Sequence, residues 1–151
     1  MARAPRRIAR DLPHHIVHRG NNRRRIVSYA SDFWRLLDVI AEAALTFGCQ
    51  LHAFALMSNH LHLLATPPEE AALPRFVKRF AQRYAVYRNR RRGGTGKLWE
   101  QRYRCFLLDD DEALAVATGY IDLNPVRAGM LRDPFDYRWS SARLHLGQSA
   151  P

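Results

Sequence analysis

The chain has 151 residues, the size of one domain, and its 24 Lys and Arg against 14 Asp and Glu leave a formal net charge of +10. With 47% hydrophobic and 11% aromatic residues there is enough apolar material for a core, which excludes global disorder. No stretch approaches the roughly 18 apolar residues of a membrane span, and the arginine-rich start, Met1 to Arg10, lacks the apolar run of a secretory signal. No membrane association and a cytoplasmic location are expected. Cys49 and Cys105 are too few and too far apart for a disulfide framework or a zinc knuckle.

Residues 1–12 mix arginine, alanine and proline without periodicity and read as a basic arm that orders only on a partner, ahead of a single domain over 13–151. His14 to Arg19 carries Ile16 and Val17 and stops at Gly20-Asn21-Asn22, which predicts a strand and a turn. Ser31 or Asp32 is placed to cap a helix whose apolar positions, Phe33, Leu36, Leu37, Ile40, Ala44 and Phe47, recur every three or four residues until Gly48. Gln50 to Leu56 and His60 to Thr66 then read as a strand hairpin closed by Pro67 and Pro68. A second amphipathic helix accepts Pro74 in its first turn and ends at Arg90-Arg91-Arg92 before a glycine-rich loop. A fourth strand is expected over Tyr103 to Leu108. The acidic run Asp109 to Glu112 favours the start of a third helix, from about Glu112 to Leu123, which Pro125 should stop ahead of an irregular tail. Strand, helix, strand, strand, helix, strand is the ferredoxin-like order. It predicts an α+β fold with a four-stranded antiparallel sheet, two helices on one face and an appended C-terminal helix.

All the basic residues except Lys78 and Lys97 are arginine, bunched in a few segments of the chain. The guanidinium fork binds phosphate in a bidentate way, so nucleic acid is the leading partner class. Arg19, Arg23, Arg24, Arg25, Arg102, Arg104 and Arg127 lie near expected element ends and are the candidate phosphate contacts. Trp99 is placed to stack on a base or to cover the core edge, and Trp139 reads as a packing residue.

Two constellations carry chemistry. His60 and His62 are two apart in a strand, so both imidazoles project from one face and can hold a divalent ion with positions left open. Tyr120 and Asn124 are four apart and share one side of a helical turn, with Asn124 expected at the helix end because it precedes Pro125. If these pairs meet, the Asn124 amide oxygen is a third ligand and the Tyr120 phenol stands beside the ion. There Mg²⁺ or Mn²⁺ would polarise a phosphodiester for attack by the phenol.

The segments PHHIVHRGN (13–21), LMSNHLHLLATP (56–67), KLWEQRY (97–103), YIDLNPVRAGM (120–130) and YRWSS (137–141) resemble, in order and spacing, the HUH single-tyrosine transposases of the IS200-like family, most closely the REP-associated tyrosine transposase branch. The resemblance implies that His60, His62 and Asn124 hold the metal and that Tyr120 attacks single-stranded DNA next to imperfect palindromic hairpins, leaving a 5′-phosphotyrosine and a free 3′-hydroxyl. It implies a protein that is nucleoid-associated when bound to DNA and works as a monomer or homodimer. The chain departs from the family's Trp-Gln-Gly-Arg and following serine, with Trp99-Glu100-Gln101-Arg102 and Cys105 instead. His15 matches a histidine frequent in the family's first strand and is assigned a structural role. Two rival readings are a catalytically inactive hairpin-binding module and a metal-dependent nuclease that uses water.

Overall fold

The computed structural model describes residues 4–147. In chain order the elements are β1 (His14–Arg19), α1 (Ala30–Phe47), β2 (Gln50–Leu56), β3 (His60–Thr66), α2 (Ala72–Arg92), β4 (Arg104–Leu107), α3 (Asp111–Arg127) and α4 (Ala142–His145), with 3₁₀ turns at Asn21–Arg23 and Pro134–Asp136. The four strands form one antiparallel sheet in the order β2-β3-β1-β4. This is the expected ferredoxin-like architecture, and β2 and β4 are its edges.

Alternation along the strands splits the sheet into two unlike faces. Ile16, Leu61, Leu63 and Ala65 turn to one side, where they join Leu36, Ile40, Leu73, Phe76 and Phe80 of α1 and α2 in the main core. On the other side Ala53, Ala55 and Leu64 pack against Ala117 and Ile121 of α3 in a smaller cluster. Small residues on both partners let α3 lie close to the sheet. That second face, only partly covered by one helix, is where the His60 and His62 side chains lie.

Gly48, at φ 69°, ends α1 in the left-handed region as expected. The start of α1 differs from the sequence reading. Neither Ser31 nor Asp32 is the capping residue; the helix begins at Ala30, and Asp32, inside its first turn, reaches back to accept from the Ser28 and Tyr29 amides at 2.8 and 3.1 Å.

The end of α3 also corrects the sequence reading. Pro125 does not stop the helix, which runs on to Arg127, so Asn124 is inside it. Proline this near the C-terminus forfeits one backbone bond, and burial of Ile121, Asn124 and Pro125 offsets that loss and the pre-proline bias. Gly129, at φ 73°, follows the helix instead.

Beyond α3 the tail is more ordered than its composition suggests. Ser140 bridges Ala55, and the Leu56 amide donates to the Trp139 carbonyl at 2.9 Å, so the tail covers the β2 edge. Trp139 itself stacks on Phe33, which bears out its packing role. The N-terminal segment from residue 4 likewise lies on the fold. The Arg6 guanidinium sits 3.7 Å from the Tyr103 ring centroid, and the Asp11 amide donates to Pro67. Residues 1–3 of the expected basic arm lie outside the described residues. Among the described residues no helix is long and apolar enough to cross a membrane.

Candidate active site

The sheet face under α3 holds a cleft of about 580 Å³, with His15 and Arg19 of β1, His60 and His62 of β3, and Tyr120 and Asn124 of α3 on its walls. Strand periodicity places His15, Val17 and Arg19 on the same face as His60 and His62, since Val17 pairs directly with His62 across the β1/β3 ladder. Packing of Ala117 and Ile121 on the sheet sets the rotation of α3, which carries Asn124 inward and leaves Tyr120 at the cleft mouth, 38% exposed.

The ring centroids of Tyr120 and His62 are 5.7 Å apart, and those of Tyr120 and His15 are 5.9 Å apart. His60 and His62 are 5.0 Å apart, nearly perpendicular. Asn124 lines the same cleft as His60, whose Nδ1 is 2.7 Å from Asn59 Oδ1. His15 Nε2 lies 2.9 Å from His62 Nδ1. The four residues singled out by the motifs thus meet in one chain.

Burial holds all three imidazoles below the ordinary histidine range. His62 is pushed down to about 3 by burial, with the charges of His60, His15 and Arg19 adding to it. His15 is lowered by burial, and His60 by burial and Arg19. Neutral imidazoles are the form that ligates metal. His62 Nε2 is buried with no hydrogen-bond partner among the described residues, a costly state for a polar atom unless something else meets it. Among the described residues no three His, Cys, Asp or Glu side chains gather as a metal site. The donor set is therefore two imidazoles and the Asn124 amide, a fit for an open divalent-ion site and not for a closed structural zinc site.

The surrounding charge is positive. Arg19 and Arg104 line the cleft, and the Arg127 guanidinium lies 5.0 Å from the Tyr120 ring centroid. No carboxylate is among the described residues that line it, so the cleft suits an anion and lacks the paired acids of a glycosidase-type site.

Not every sequence candidate reaches this cleft. Arg23, Arg24 and Arg25 are exposed on the loop after β1, where Asn59 donates to the Arg23 carbonyl, and do not line the cleft. Arg102 lies round the β4 edge in an adjoining groove. Trp99 is 8% exposed, with its Nε1–H donated to the Ala81 carbonyl, so the core-edge alternative describes it. His15, assigned a structural role from the sequence, lies against His62 in this cleft. Its spacing from Arg19 by an even number of residues was the available signal, but its neighbour across the sheet was not.

Residues 9–124 match the family model described as IS200-like transposase. The chain belongs to the IS200-like transposase family. Its fold resembles that of a REP-associated tyrosine transposase solved bound to a REP hairpin, with a TM-score of 0.77 and 16% identity over 97% of this chain and 86% of that one. It also resembles a candidate transposase of Deinococcus radiodurans R1, with a TM-score of 0.52 and 22% identity over 80% of this chain and 96% of that one. No curated protein sequence matches it. This transposase-family chain therefore shares its overall fold with the REP-associated branch that its motifs resemble.

Proposed function

We propose that this IS200-like family member cuts and rejoins single-stranded DNA beside hairpins, with Tyr120 as nucleophile. The observation that carries the reading is the placement of the Tyr120 ring against His62 in a cationic cleft free of carboxylates among its described lining residues. Attack of the phenol oxygen on a phosphodiester forms a P–O bond to tyrosine and breaks the bond to the 3′ oxygen, which leaves as a hydroxyl. Because one ester replaces another, the released 3′-hydroxyl can reverse the step, and no ATP is required.

His60, His62 and Asn124 would hold Mg²⁺ or Mn²⁺, which when bound neutralises charge on the reacting phosphate. Arg127 sets positive charge against the face of Tyr120, where phenolate charge develops. Arg19 and Arg104 orient the phosphate backbone. Tyr120 stands beside histidines of its own chain, which supports a monomer.

The test incubates the protein with labelled hairpin DNA from the flanks of its own gene, with Mg²⁺ or Mn²⁺, beside Tyr120→Phe on a denaturing gel. A protein–DNA adduct that requires both the metal and Tyr120 is expected. Cleavage without an adduct that survives Tyr120→Phe would instead indicate attack by water, and binding with no cleavage an inactive hairpin-binding module.

A further inference from the structure

Two of the motif segments contain polar residues that the site above does not use, Asp122 in YIDLNPVRAGM and Ser141 in YRWSS. Each residue of an α-helix turns the chain by about 100°, so Tyr120 and Asn124 share one flank of α3 while Asp122 projects about 160° away from both. Ala117 and Ile121, which rest on the sheet, lie between the two flanks.

That seat is narrow. Besides Ile121 and Leu64 it consists of Ala53, Ala55 and Ala117, with Leu108 and Leu114 at its margin, and Val116 and Leu123 of the same helix are exposed. Such contacts set which side of α3 faces the sheet, but so few side-chain atoms resist a roll about the helix axis only weakly. At roughly 6 Å from the axis, a roll of about 20° carries a side-chain tip about 2 Å, and a misplacement of about 1 Å can lower a rate on the order of 100-fold.

The far flank is pinned. Asp122 Oδ1 accepts from the Ser141 hydroxyl at 2.9 Å, and its Oδ2 meets His145 Nδ1. Ser141 is itself fixed to β2, its amide donating to the Phe54 carbonyl and its Oγ accepting from the Phe54 amide, both at 2.9 Å. His145 Nε2 donates to the His52 carbonyl of the same strand at 2.8 Å. A carboxylate and a carbonyl only accept, so His145 makes both contacts as an imidazolium, in a charge-assisted pair. The Tyr137 hydroxyl donates to the Leu56 carbonyl and Trp139 stacks on Phe33 of α1. The tail that holds Asp122 is thus anchored on the sheet and α1, apart from α3.

We propose that Asp122 is a positioning residue for the nucleophile, one that locks the roll of α3 through Ser141 and His145 so that Tyr120 stands against His62 and Asn124 turns inward. Its effect on rate rests on the DNA reading above; its effect on geometry does not. A clamp that merely fastened the tail would lower stability when cut and leave the folded site unchanged.

The experiment compares Asp122→Ala and Asp122→Asn with the wild type, well below the melting temperature of each. Asp122→Asn keeps an acceptor for Ser141 and can turn an amide N–H toward a neutral His145, so the pin survives without charge. In the free protein, nuclear Overhauser contacts between the Tyr120 and His62 rings are expected in the wild type and in Asp122→Asn, and should be lost in Asp122→Ala. With saturating hairpin DNA and Mn²⁺, single-turnover adduct formation should slow about 10- to 100-fold in Asp122→Ala and stay within about threefold in Asp122→Asn, while hairpin Kd changes less than about twofold in both. Should Asp122→Ala fail to fold, His145→Ala cuts the same pin from the tail side and should show the same losses in smaller measure. Ring contacts kept in the cut variant, or an adduct rate that does not fall when they are lost, overturns the proposal. A wild type that forms no adduct overturns the DNA reading, and loss of the ring contacts in Asp122→Ala then still upholds the pin.

Discussion

His15 on β1 and His62 on β3 are joined ring to ring, Nε2 to Nδ1, at 2.9 Å. A neutral imidazole carries one N–H and one lone pair, so this contact decides which nitrogen of His62 is free. When His62 Nδ1–H donates to His15 Nε2, the unpartnered Nε2 of His62 offers its lone pair to the cleft. The opposite sense would cap it with a proton.

Replacement of His15 by Phe removes the acceptor and frees His62 to take either tautomer. Mn²⁺ affinity, measured by calorimetry on the DNA-free protein, should fall by about 10- to 100-fold, the usual cost of losing a partner to a metal ligand. His15→Gln retains an acceptor and should recover part of it. Unchanged Mn²⁺ affinity in His15→Phe would show that the contact is packing only.

Stability should fall as the solution is acidified below about pH 6.5. Burial lowers His14, His15, His18, His52, His60 and His62 in the folded chain, His18 to about 4 and His62 to about 3. Below the unfolded value the unfolded chain binds more protons, so this stabilisation is complete above pH 6.5 and is lost as pH drops toward the folded values. His145 runs the other way. Burial lowers it, but its contacts with Asp122 and the His52 carbonyl outweigh that and raise it, so its contribution is lost as pH rises. Urea midpoints at pH 8, 6.5 and 5 in EDTA should be lowest at pH 5; a flat or rising series contradicts the account.

Arg88 and Asp32 form a buried ion pair at 2.9 Å, 1% and 0% exposed at the side chain. Burial alone would raise Asp32, yet the Ser28 and Tyr29 amides, the Tyr87 hydroxyl and Arg88 bring it below its ordinary value. Arg88→Met leaves this carboxylate with only the partly exposed Arg91, 3.6 Å away, as its cation and should cost up to about 3–5 kcal/mol in chemical denaturation. The double variant Arg88→Met with Asp32→Leu should cost less than Arg88→Met alone, because no stranded charge remains. Equal or larger loss in the double variant would show that packing, and not charge pairing, dominates there.

Gly20 marks the exit from β1, and a Cβ built on it runs into the Arg24 carbonyl oxygen. Since that obstacle is backbone, Gly20→Ala must displace the 21–25 loop and should destabilise the protein by about 1–3 kcal/mol. Hairpin affinity should drop with it if Arg23, Arg24 and Arg25 touch DNA. Wild-type affinity in a verified displaced loop removes those arginines from the interface.

The strand and helix periods, the glycine stops after α1 and α2, and the pairing of His60 with His62 on one face were all legible in the sequence. Each depends on neighbours a few residues away, and the backbone allows only two periods. The His-x-His pair and the Tyr120 to Asn124 spacing named residues that the fold places on the walls of one cleft. What the sequence left open were relations between elements: the path of α3 through Pro125, the His15 to His62 contact, the tail along β2 and the groove around β4. These depend on which apolar surfaces bury one another across long stretches of chain. Ala117 and Ile121 meet Ala53, Ala55 and Leu64 over more than fifty residues of separation, and that packing turns Asn124 toward His60. No local pattern carries it, because the energy that decides the arrangement exists only once the sheet has formed.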